Sequence, residues 1–291
     1  MQEFSRTIGI IGAMDREVKS IKNALDEPFT ERIAGADFTV GGYKGLRVVA
    51  VVSGIGLVNA ACTTQCMVDR YAPDSIIFSG IAGSLNPIVG VDDIVVGKTL
   101  LYSDATRQAI AESHPFTEEY ETDATLIGYA ADALEKEGYV SLDALSNKCG
   151  GDAESAWEKR DGRRGYIVGT IASGNKFITS AEKECLKEGT GADCAEMEGA
   201  AIVHAADRNS TSGSRIRTVV IRSMSDTCGD EPFMTDGWQF DTTRTAESAA
   251  RIALSIAAAI AGESIASSLK GRDLLKTSLP LQLCEACVSP I

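Results

Sequence analysis

Short apolar runs rich in valine and isoleucine recur along the chain, and each ends at a turn of small residues such as Gly12-Ala13. Runs that are apolar at every position are typical of buried parallel strands, because both faces of such a sheet are covered. The pattern predicts strands at Ile8–Ile11, Val48–Val52, Ile76–Phe78, Asp93–Val96, Val168–Ala172 and Arg217–Arg222.

Helical periodicity separates these runs. In the first helical segment, Met14, Val18, Ile21 and Leu25 recur at intervals of three or four residues and form one apolar stripe. Alternation of strands with such segments predicts a single wound α/β domain in which helices cover the sheet. The predicted helices are Met14–Leu25, Asn59–Tyr71, Ala124–Glu137, Glu198–Arg208 and Thr245–Ala261.

Two segments depart from this alternation. Residues 146–164 are charged and rich in glycine, which predicts a solvent-exposed excursion between elements. Residues 264–291 follow an alanine-rich helix and include two prolines, so we expect a C-terminal extension that is loosely ordered or docks on another subunit. The predicted domain therefore spans residues 1–263.

The charge balance indicates the kind of partner. With 41 acidic against 28 basic side chains, the net charge is -13, which argues against nucleic acid or an anionic membrane surface as a partner. The most apolar segment, Ala249–Gly262, is broken by Arg251 and Ser255, and the N-terminus resembles no signal or transit peptide. We expect a cytoplasmic protein with a small-molecule partner.

Cysteines offer little sign of a metal site. Eight are spread over the chain, and only Cys284 and Cys287 form a CxxC pair. A zinc site would need a second pair or nearby histidines, and the chain has two histidines, so we expect a reduced tail and no metal.

A carboxylate lies at each of three junctions between predicted elements. Glu17 lies one turn into the first helix, Glu198 follows Glu196 near the start of another, and Asp226 follows the strand that ends at Arg222. Ligands of open parallel sheets bind at the carboxyl ends of strands, where these junctions lie. Each acid singly is explained as well by helix capping or a turn, and in a helix at most one of Glu196 and Glu198 would face a ligand.

Other motifs exclude common nucleotide and hydrolase sites. The turn Gly54-Ile55-Gly56 lacks the third glycine of a dinucleotide-binding loop, and neither GxxxxGK[ST] nor GxSxG occurs. Phe177 and Phe240 are either core aromatics or a face on which a base stacks. A buried Arg222 would require an anionic partner or water.

Six motifs occur in the order GAMDRE, SGIG, SGIAG, SGNKFI, AEMEGAA and IRSMSD between about Ile8 and Ala261. Together they resemble the 5′-methylthioadenosine/S-adenosylhomocysteine nucleosidases of the nucleoside phosphorylase superfamily. The resemblance implies a three-layer α/β/α fold with a central mixed, partly barrel-like sheet flanked by helices. It also implies a homodimer, no cofactor, and hydrolysis of the N-glycosidic bond of a purine nucleoside.

The same resemblance implies a role for each acid. Asp226 would protonate N7 of the adenine, Glu17 would activate water that Arg222 helps to fix, and Glu198 would hold the ribose hydroxyls. Met197 would pack under the ribose, the Phe177–Ile178 segment would bind adenine, and Ser225 would support Asp226. The implied substrate-binding residues are Met14, Ile55, Ile81, Ala82, Gly83, Phe177, Ile178, Glu196, Met197, Glu198, Ser225 and Phe240.

Departures from the family pattern leave the natural substrate open. Ile81 stands where many bacterial members have serine, Ser103 replaces a histidine, and Arg107 occupies a position that is usually apolar. A phosphate-dependent phosphorylase is the alternative enzyme, supported by Arg16, Arg107 and Arg222 as anion-binding candidates. A non-catalytic nucleoside-binding or storage relative is the alternative outside enzymes.

Overall fold

Parallel pairing of four neighbouring strands organises the centre of the molecule. In the computed structural model, which describes residues 4, 6–148, 158–211, 213–229 and 242–276, with side chains up to Glu263, eleven strands form one sheet. The strands are β1 (Thr7–Gly12), β2 (Asp26–Ile33), β3 (Ala36–Tyr43), β4 (Leu46–Val52), β5 (Ser75–Ser84), β6 (Ile94–Tyr102), β7 (Tyr120–Glu121), β8 (Val140–Ser141), β9 (Gly165–Ser173), β10 (Cys194–Glu196) and β11 (Arg217–Asp226).

The sheet is mixed and partly closed. Its order is β10-β9-β6-β11-β5-β1-β4-β3-β2, and β10 also pairs with the end of β5. This extra antiparallel pairing, Cys194 with Ser84 and Ala195 with Gly83, closes β10, β9, β6, β11 and β5 into a ring. The expected mixed, partly barrel-like sheet is confirmed.

Helices cover both faces of the sheet, as expected for three layers. They are α1 (Asp15–Asn23), α2 (Leu57–Tyr71), α3 (Arg107–Ile110), α4 (Ala124–Lys136), α5 (Leu142–Lys148), α6 (Ser180–Thr190), α7 (Gly199–Asn209) and α8 (Thr243–Lys276). Apolar side chains of α1, α4 and α8 form the core on one face, and those of α2, α5 and α7 form the core on the other.

Every predicted strand and helix is present, with shifted ends, and the described part of the chain adds strands β2, β3, β7, β8 and β10 and helices α3, α5 and α6. Strand β2 is largely exposed, so it lacks the apolar run on which the prediction relied. In β3, a pair of glycines interrupts the pattern. At Gly41 a Cβ atom would lie 2.9 Å from the Asp26 carbonyl oxygen, so the close approach of the chain there favours glycine.

Residues 158–164, the described C-terminal end of the expected solvent-exposed excursion at residues 146–164, are exposed at most positions, and Arg160 is the exception. The Arg160 side chain is buried, and its Nη1 and Nη2 donate to Asp93 Oδ2 and Oδ1 at 2.9 and 2.5 Å. Asp93 is completely buried and also accepts from the Gly165 N–H. A buried ion pair needs such satisfied geometry, so this end is anchored in the protein.

The predicted boundary at residue 263 does not coincide with the end of a helix. Helix α8 begins at Thr243 and continues to Lys276, beyond the predicted end at Ala261. The single domain of residues 1–263 stays a prediction, and the Cys284-Cys287 pair lies outside the described residues.

Strands β4, β1, β5 and β11 are mutually parallel neighbours. Their carboxyl ends therefore lie at one edge of the sheet, and the loops that leave them meet there. Four of the six motifs, GAMDRE, SGIG, SGIAG and IRSMSD, lie at these strand ends or in the turns that follow them.

Candidate active site

A cavity of about 640 Å³ lies at this edge of the sheet. Its volume is in the range of pockets that enclose a small organic ligand. The structure brings thirteen of the predicted site residues together around it. They are Met14, Glu17, Ile55, Ile81, Ala82, Gly83, Phe177, Ile178, Glu196, Met197, Glu198, Ser225 and Asp226.

Glu17 is both a helix-capping residue and a buried wall of the cavity. Its Oε2 accepts the N–H groups of Ala13 and Met14 at 2.6 and 2.9 Å, and its Oε1 accepts the N–H of Ile81 at 3.0 Å. Burial raises the pKa of Glu17, while Arg222 and the three N–H donors oppose that shift. One carboxylate therefore both caps the helix and lines the cavity, which the sequence left as alternatives.

Arg222 lies behind the cavity and does not line it. Its side chain is completely buried, its Nη2 contacts Glu196 Oε2 and lies 3.3 Å from Glu198 Oε2, and its guanidinium stacks 3.7 Å from the centre of the Phe78 ring. Burial alone would lower the pKa of Arg222, but the carboxylates of Glu196, Glu198 and Glu17 outweigh it and raise the pKa. The anionic partners that a buried arginine requires are confirmed.

The carboxylates of Glu196 and Glu198 make different contacts. Glu196 ends strand β10, and its carboxylate accepts the N–H groups of Glu198 and Gly199 at 3.1 and 2.8 Å, together with the hydroxyl of Ser173. Glu198 is the N-cap residue of α7, and its Oε1 accepts the Gly56 N–H at 2.8 Å. The expectation that one of the two would face away assumed a helix, and a strand followed by a cap lets both reach the cavity.

The surroundings of Glu198 disfavour its charged form. Burial and the neighbouring charge of Glu196 raise the pKa of Glu198 to about 7, against the opposing effect of Arg222. Perturbed carboxylates in a cavity are candidates for function, because protonation then changes near the working pH.

A β-bulge aims Asp226. Strand β11 pairs regularly with β5 up to Met224 and Ala82, and the register then shifts so that Asp226 lies opposite Gly83. Side chains alternate along a strand, so without the bulge Asp226 would share the face of Arg222 and Met224. The carboxylate is held by the Ser225 hydroxyl at Oδ2 and the Cys228 N–H at Oδ1, each at 2.8 Å.

The segment around Phe177 forms another part of the cavity wall. The Phe177 side chain is 46% exposed, so it is not a core aromatic. The backbone before it is fixed, because the Asn175 N–H donates to Asp104 Oδ2 at 2.7 Å and Asn175 Oδ1 accepts the Leu57 N–H at 3.0 Å. Phe240 lies outside the described residues.

Two positions that depart from the family pattern, Ile81 and Arg107, differ in their relation to the cavity. Ile81 brings an apolar side chain to the cavity, while its N–H holds Glu17. Arg107 does not line the cavity, and its Nη1 lies 3.5 Å from Glu119 Oε1. This pairing weakens its candidacy as a phosphate ligand.

Several lining residues were missed from the sequence. The Gly56 N–H that holds Glu198 belongs to the Gly54-Ile55-Gly56 turn, which lacks the pattern of a dinucleotide-binding loop. Cys228 and Gly229 follow the motif of Asp226 closely, but nothing in their residue type marks a cavity wall. The remaining missed residues are Ala13, Lys176, Thr179, Ser180, Ala181 and Ala195.

Within the described ranges, no group of three or more His, Cys, Asp or Glu side chains is arranged to hold a metal ion. Nor does that part of the chain contain a helix with the length and apolar character needed to cross a bilayer.

The sequence matches a known family over most of its length. The profile of the phosphorylase superfamily matches residues 7–258. A 5′-methylthioadenosine/S-adenosylhomocysteine nucleosidase of Bacillus subtilis (strain 168) is 33% identical over 227 residues, covering 77% of this chain and 87% of that protein. The enzyme of the same description from Bacillus licheniformis is 30% identical over 230 residues, with the same coverage.

Solved structures show the same fold. The 5′-methylthioadenosine/S-adenosylhomocysteine nucleosidase from Neisseria meningitidis, in complex with methylthio-immucillin-A, superposes with a TM-score of 0.70 at 23% identity, covering 87% of this chain and 99% of that one. The futalosine hydrolase of Helicobacter pylori strain 26695 superposes with a TM-score of 0.69 at 25% identity, covering 87% and 97%.

Proposed function

Since the chain belongs to the 5′-methylthioadenosine/S-adenosylhomocysteine nucleosidases of the phosphorylase superfamily, we propose that it hydrolyses the N-glycosidic bond of 5′-methylthioadenosine, S-adenosylhomocysteine or both. The products are adenine and the 5-substituted ribose. The observation that carries the proposal is the convergence of Glu17, Glu198 and Asp226 on one cavity of about 640 Å³.

Asp226 and Glu17 divide the proton transfers. Cleavage leaves electron density on the departing adenine, and Asp226 donates a proton to N7 so that the base leaves neutral. Glu17 orients a water molecule toward the anomeric carbon and accepts its proton as the new C–O bond forms. The three N–H donors around Glu17 support this role, because they fix the direction in which its carboxylate points.

Glu198 acts on the sugar. The reaction passes through an oxocarbenium-like ribose, so a carboxylate beside it stabilises the developing positive charge and accepts hydrogen bonds from the hydroxyls. The contacts of Glu198 with Gly56 and Arg222 hold its carboxylate at the cavity. Met197 lies against the ribose and the Phe177–Ile178 segment receives adenine. Arg222 acts from behind by holding the carboxylates in place.

Water is favoured over phosphate as the nucleophile. A phosphate would need the N–H donors of the turn after β1 and a cationic partner. In this chain the Glu17 carboxylate already takes the N–H groups of Ala13, Met14 and Ile81, and Arg222 is paired with Glu196 and Glu198. A second anion at this position would meet like charge.

Adenine release from 5′-methylthioadenosine and S-adenosylhomocysteine, measured with and without inorganic phosphate, tests the proposal. We expect the same rate in both conditions and free 5-substituted ribose as product. Strict phosphate dependence with a ribose 1-phosphate product would identify a phosphorylase instead. Binding of both nucleosides without adenine release would identify a storage or binding protein.

The same assay with futalosine tests a second candidate substrate. A futalosine hydrolase shares the fold at 25% identity, and Ile81, Ser103 and Arg107 leave the part of the substrate beyond the ribose open. Preference for 5′-methylthioadenosine or S-adenosylhomocysteine supports the proposal. A value of kcat/KM that is highest for futalosine would reassign the substrate.

The proposal extends to a cytoplasmic homodimer. Ile55 and Phe177 line the cavity and are 38% and 46% exposed, and Val58, three residues after Ile55, is 73% exposed. Exposed apolar groups of this kind favour coverage by a partner. The described cysteines are free thiols, which suits a reducing compartment. Sedimentation equilibrium should give twice the chain mass, and a monomer at micromolar concentration would reject the dimer.

A further inference from the structure

The loop that follows β11 has a backbone that must be held from outside. Cys228 and Gly229 adopt left-handed conformations, with φ of +50° and +109°. A left-handed conformation is costly for a residue with a side chain and persists where neighbours fix it. The loop matters because its Cys228 N–H donates to Asp226 Oδ1 and so directs that carboxylate.

Helix α6 supplies the contacts that fix this loop. Lys183 Nζ donates to the Thr227 carbonyl at 2.6 Å, and the Ser180 hydroxyl donates to the Gly229 carbonyl. Gly229 also lies directly against the helix, since a Cβ atom there would be 2.5 Å from Ser180 Cα. The first two turns of α6 therefore hydrogen-bond to the loop on both sides of Cys228.

Lys183 makes its contact outside the cavity. Its ammonium is not among the groups that line the cavity, although Ser180, three residues earlier, is. A charged donor on a carbonyl is stronger than a neutral one, and the half-buried position of Lys183 limits competition from solvent. The contact can therefore hold the loop without touching a substrate.

We propose that Lys183 is a positioning residue for the general acid. Its ammonium fixes the Thr227 carbonyl, the fixed loop presents the Cys228 N–H, and that N–H holds the Asp226 carboxylate in the direction of the leaving base. Because α6 begins just after the Phe177–Ile178 segment, the same helix links the wall that receives adenine to the acid that protonates it. The inference rests on the proposed function and deepens it.

Lys183→Met tests the contact, since it removes the ammonium and keeps an unbranched stem. Lys187→Met is the matched control: Lys187 lies one turn further along α6 and donates to a different backbone carbonyl, that of Ala192, at 3.0 Å. Lys183→Arg restores a cationic donor. We expect kcat/KM for the adenine nucleoside to fall about tenfold in Lys183→Met, a part of the roughly 10²–10⁴-fold that a general acid supplies, and to stay within about twofold in the other two variants.

The leaving group separates positioning from general damage. The comparison substrate is a riboside with the same 5′ substituent and 4-nitrophenol in place of adenine. Its leaving group, 4-nitrophenolate, departs without protonation, so the general acid contributes little to cleavage of this riboside. Lys183→Met should therefore cleave this riboside at a rate within about twofold of wild type, and Asp226→Asn should show the same selectivity with a larger loss on the nucleoside. Equal losses on both substrates, or equal losses in Lys183→Met and Lys187→Met, would overturn the proposal.

Lys183→Gln provides a second test of the same contact, because it removes the ammonium on the Thr227 carbonyl and keeps a polar side chain. If Lys183→Met does not fold, as judged by circular dichroism, Lys183→Gln must show the selective loss on the adenine nucleoside, and an unselective effect rejects the proposal. Failure of the wild-type protein to release adenine from any nucleoside rejects the proposed function itself, and that result is read before any variant is compared.

Discussion

At the residue scale, the three carboxylates differ in their neighbours more than in their chemistry. Glu17 is surrounded by backbone donors, Glu198 lies between a like charge and a guanidinium, and Asp226 is aimed by a hydroxyl and one N–H. Donors and charges that are fixed before the substrate arrives lower the barrier more than those that must reorganise. These different surroundings support the separate roles that we propose for the three acids.

Replacement of either proton-transfer group should reduce turnover and leave the fold intact. Asp226→Asn and Glu17→Gln keep the size of each side chain, and we expect each to lower kcat by about 10²–10⁴-fold. Asp15→Asn is the matched control, because Asp15 is an exposed acid in the same first turn of α1 as Glu17. Near-wild-type adenine release by Asp226→Asn or Glu17→Gln would refute the assigned roles.

The pKa of Glu198 predicts an acid limb in the pH profile. Burial and the charge of Glu196 raise that pKa to about 7, and Glu198 must be ionised to stabilise the cationic ribose. The raised pKa of Glu17, caused by burial, acts in the same direction. We expect kcat/KM to fall as pH drops below about 7, with the apparent value belonging to the interacting groups together. A profile that stays flat down to pH 5 would contradict this.

The raised pKa of Glu198 also affects the stability of the fold, which changes with pH in the direction opposite to kcat/KM. Between pH 4.5 and about 7 the folded protein holds a proton on Glu198 that the unfolded chain releases, so stability falls as pH rises through this window. Glu198→Gln removes the buried charge, and its Tm should exceed that of wild type at pH 8, with a gap that closes toward pH 5. Glu184→Gln, at an exposed position of α6, should show no such gap.

At the element scale, the sequence was informative where strands are buried on both faces and uninformative where contacts decide. The runs of β1, β4, β5 and β11 were predicted because apolar side chains occupy both faces. Strand β2 was missed because it is an exposed edge, and β10 because it has three residues. The bulge that turns Asp226 toward the cavity depends on pairing with β5 and leaves no residue-type signature.

The packing of β5 against β11 makes a specific prediction for Gly80. Gly80 lies opposite Arg222, and a Cβ atom there would overlap Arg222 Nη1 and approach Glu17 Oε1 to 2.6 Å. Gly80→Ala should therefore displace both groups, cost about 1–3 kcal/mol of the free energy of unfolding, and lower kcat/KM about 10²-fold. Urea unfolding and adenine release measure the two effects.

Gly128→Ala is the control for that substitution. Gly128 is exposed within α4, and a Cβ atom there meets nothing within 4 Å. Alanine favours the helix by up to about 1 kcal/mol, so this variant should be slightly more stable and equally active. Full activity in Gly80→Ala would show that close contact between β5 and the Arg222–Glu17 pair is not needed for catalysis.

At the scale of the whole molecule, the sheet brings together strand ends that lie far apart in the sequence. The Gly56 N–H reaches Glu198, 142 residues away, and the Ile81 N–H reaches Glu17, 64 residues away. The ordered motifs contain the thirteen predicted residues that line the cavity, because each motif lies at one junction. The partners that orient the carboxylates come from other junctions, which local patterns do not encode.

Truncation tests whether the functional domain ends at residue 263. Glu263 accepts from Tyr129 and Arg217, each at 3.0 Å, and from Arg6, so it ties α8 to three other parts of the chain. A chain ending at residue 263 keeps these contacts, and no described cavity residue lies beyond Gly229, so we expect adenine release within about twofold of the full chain. A chain ending at Ala257 also loses the buried Ile260, and its free energy of unfolding should fall by about 3–5 kcal/mol. The chain ending at residue 263 should unfold at the same urea concentration as the full chain. If it loses as much stability as the chain ending at Ala257, residues 264–291 belong to the folded domain, because retaining Ile260 and Glu263 would then not preserve the stability of the domain.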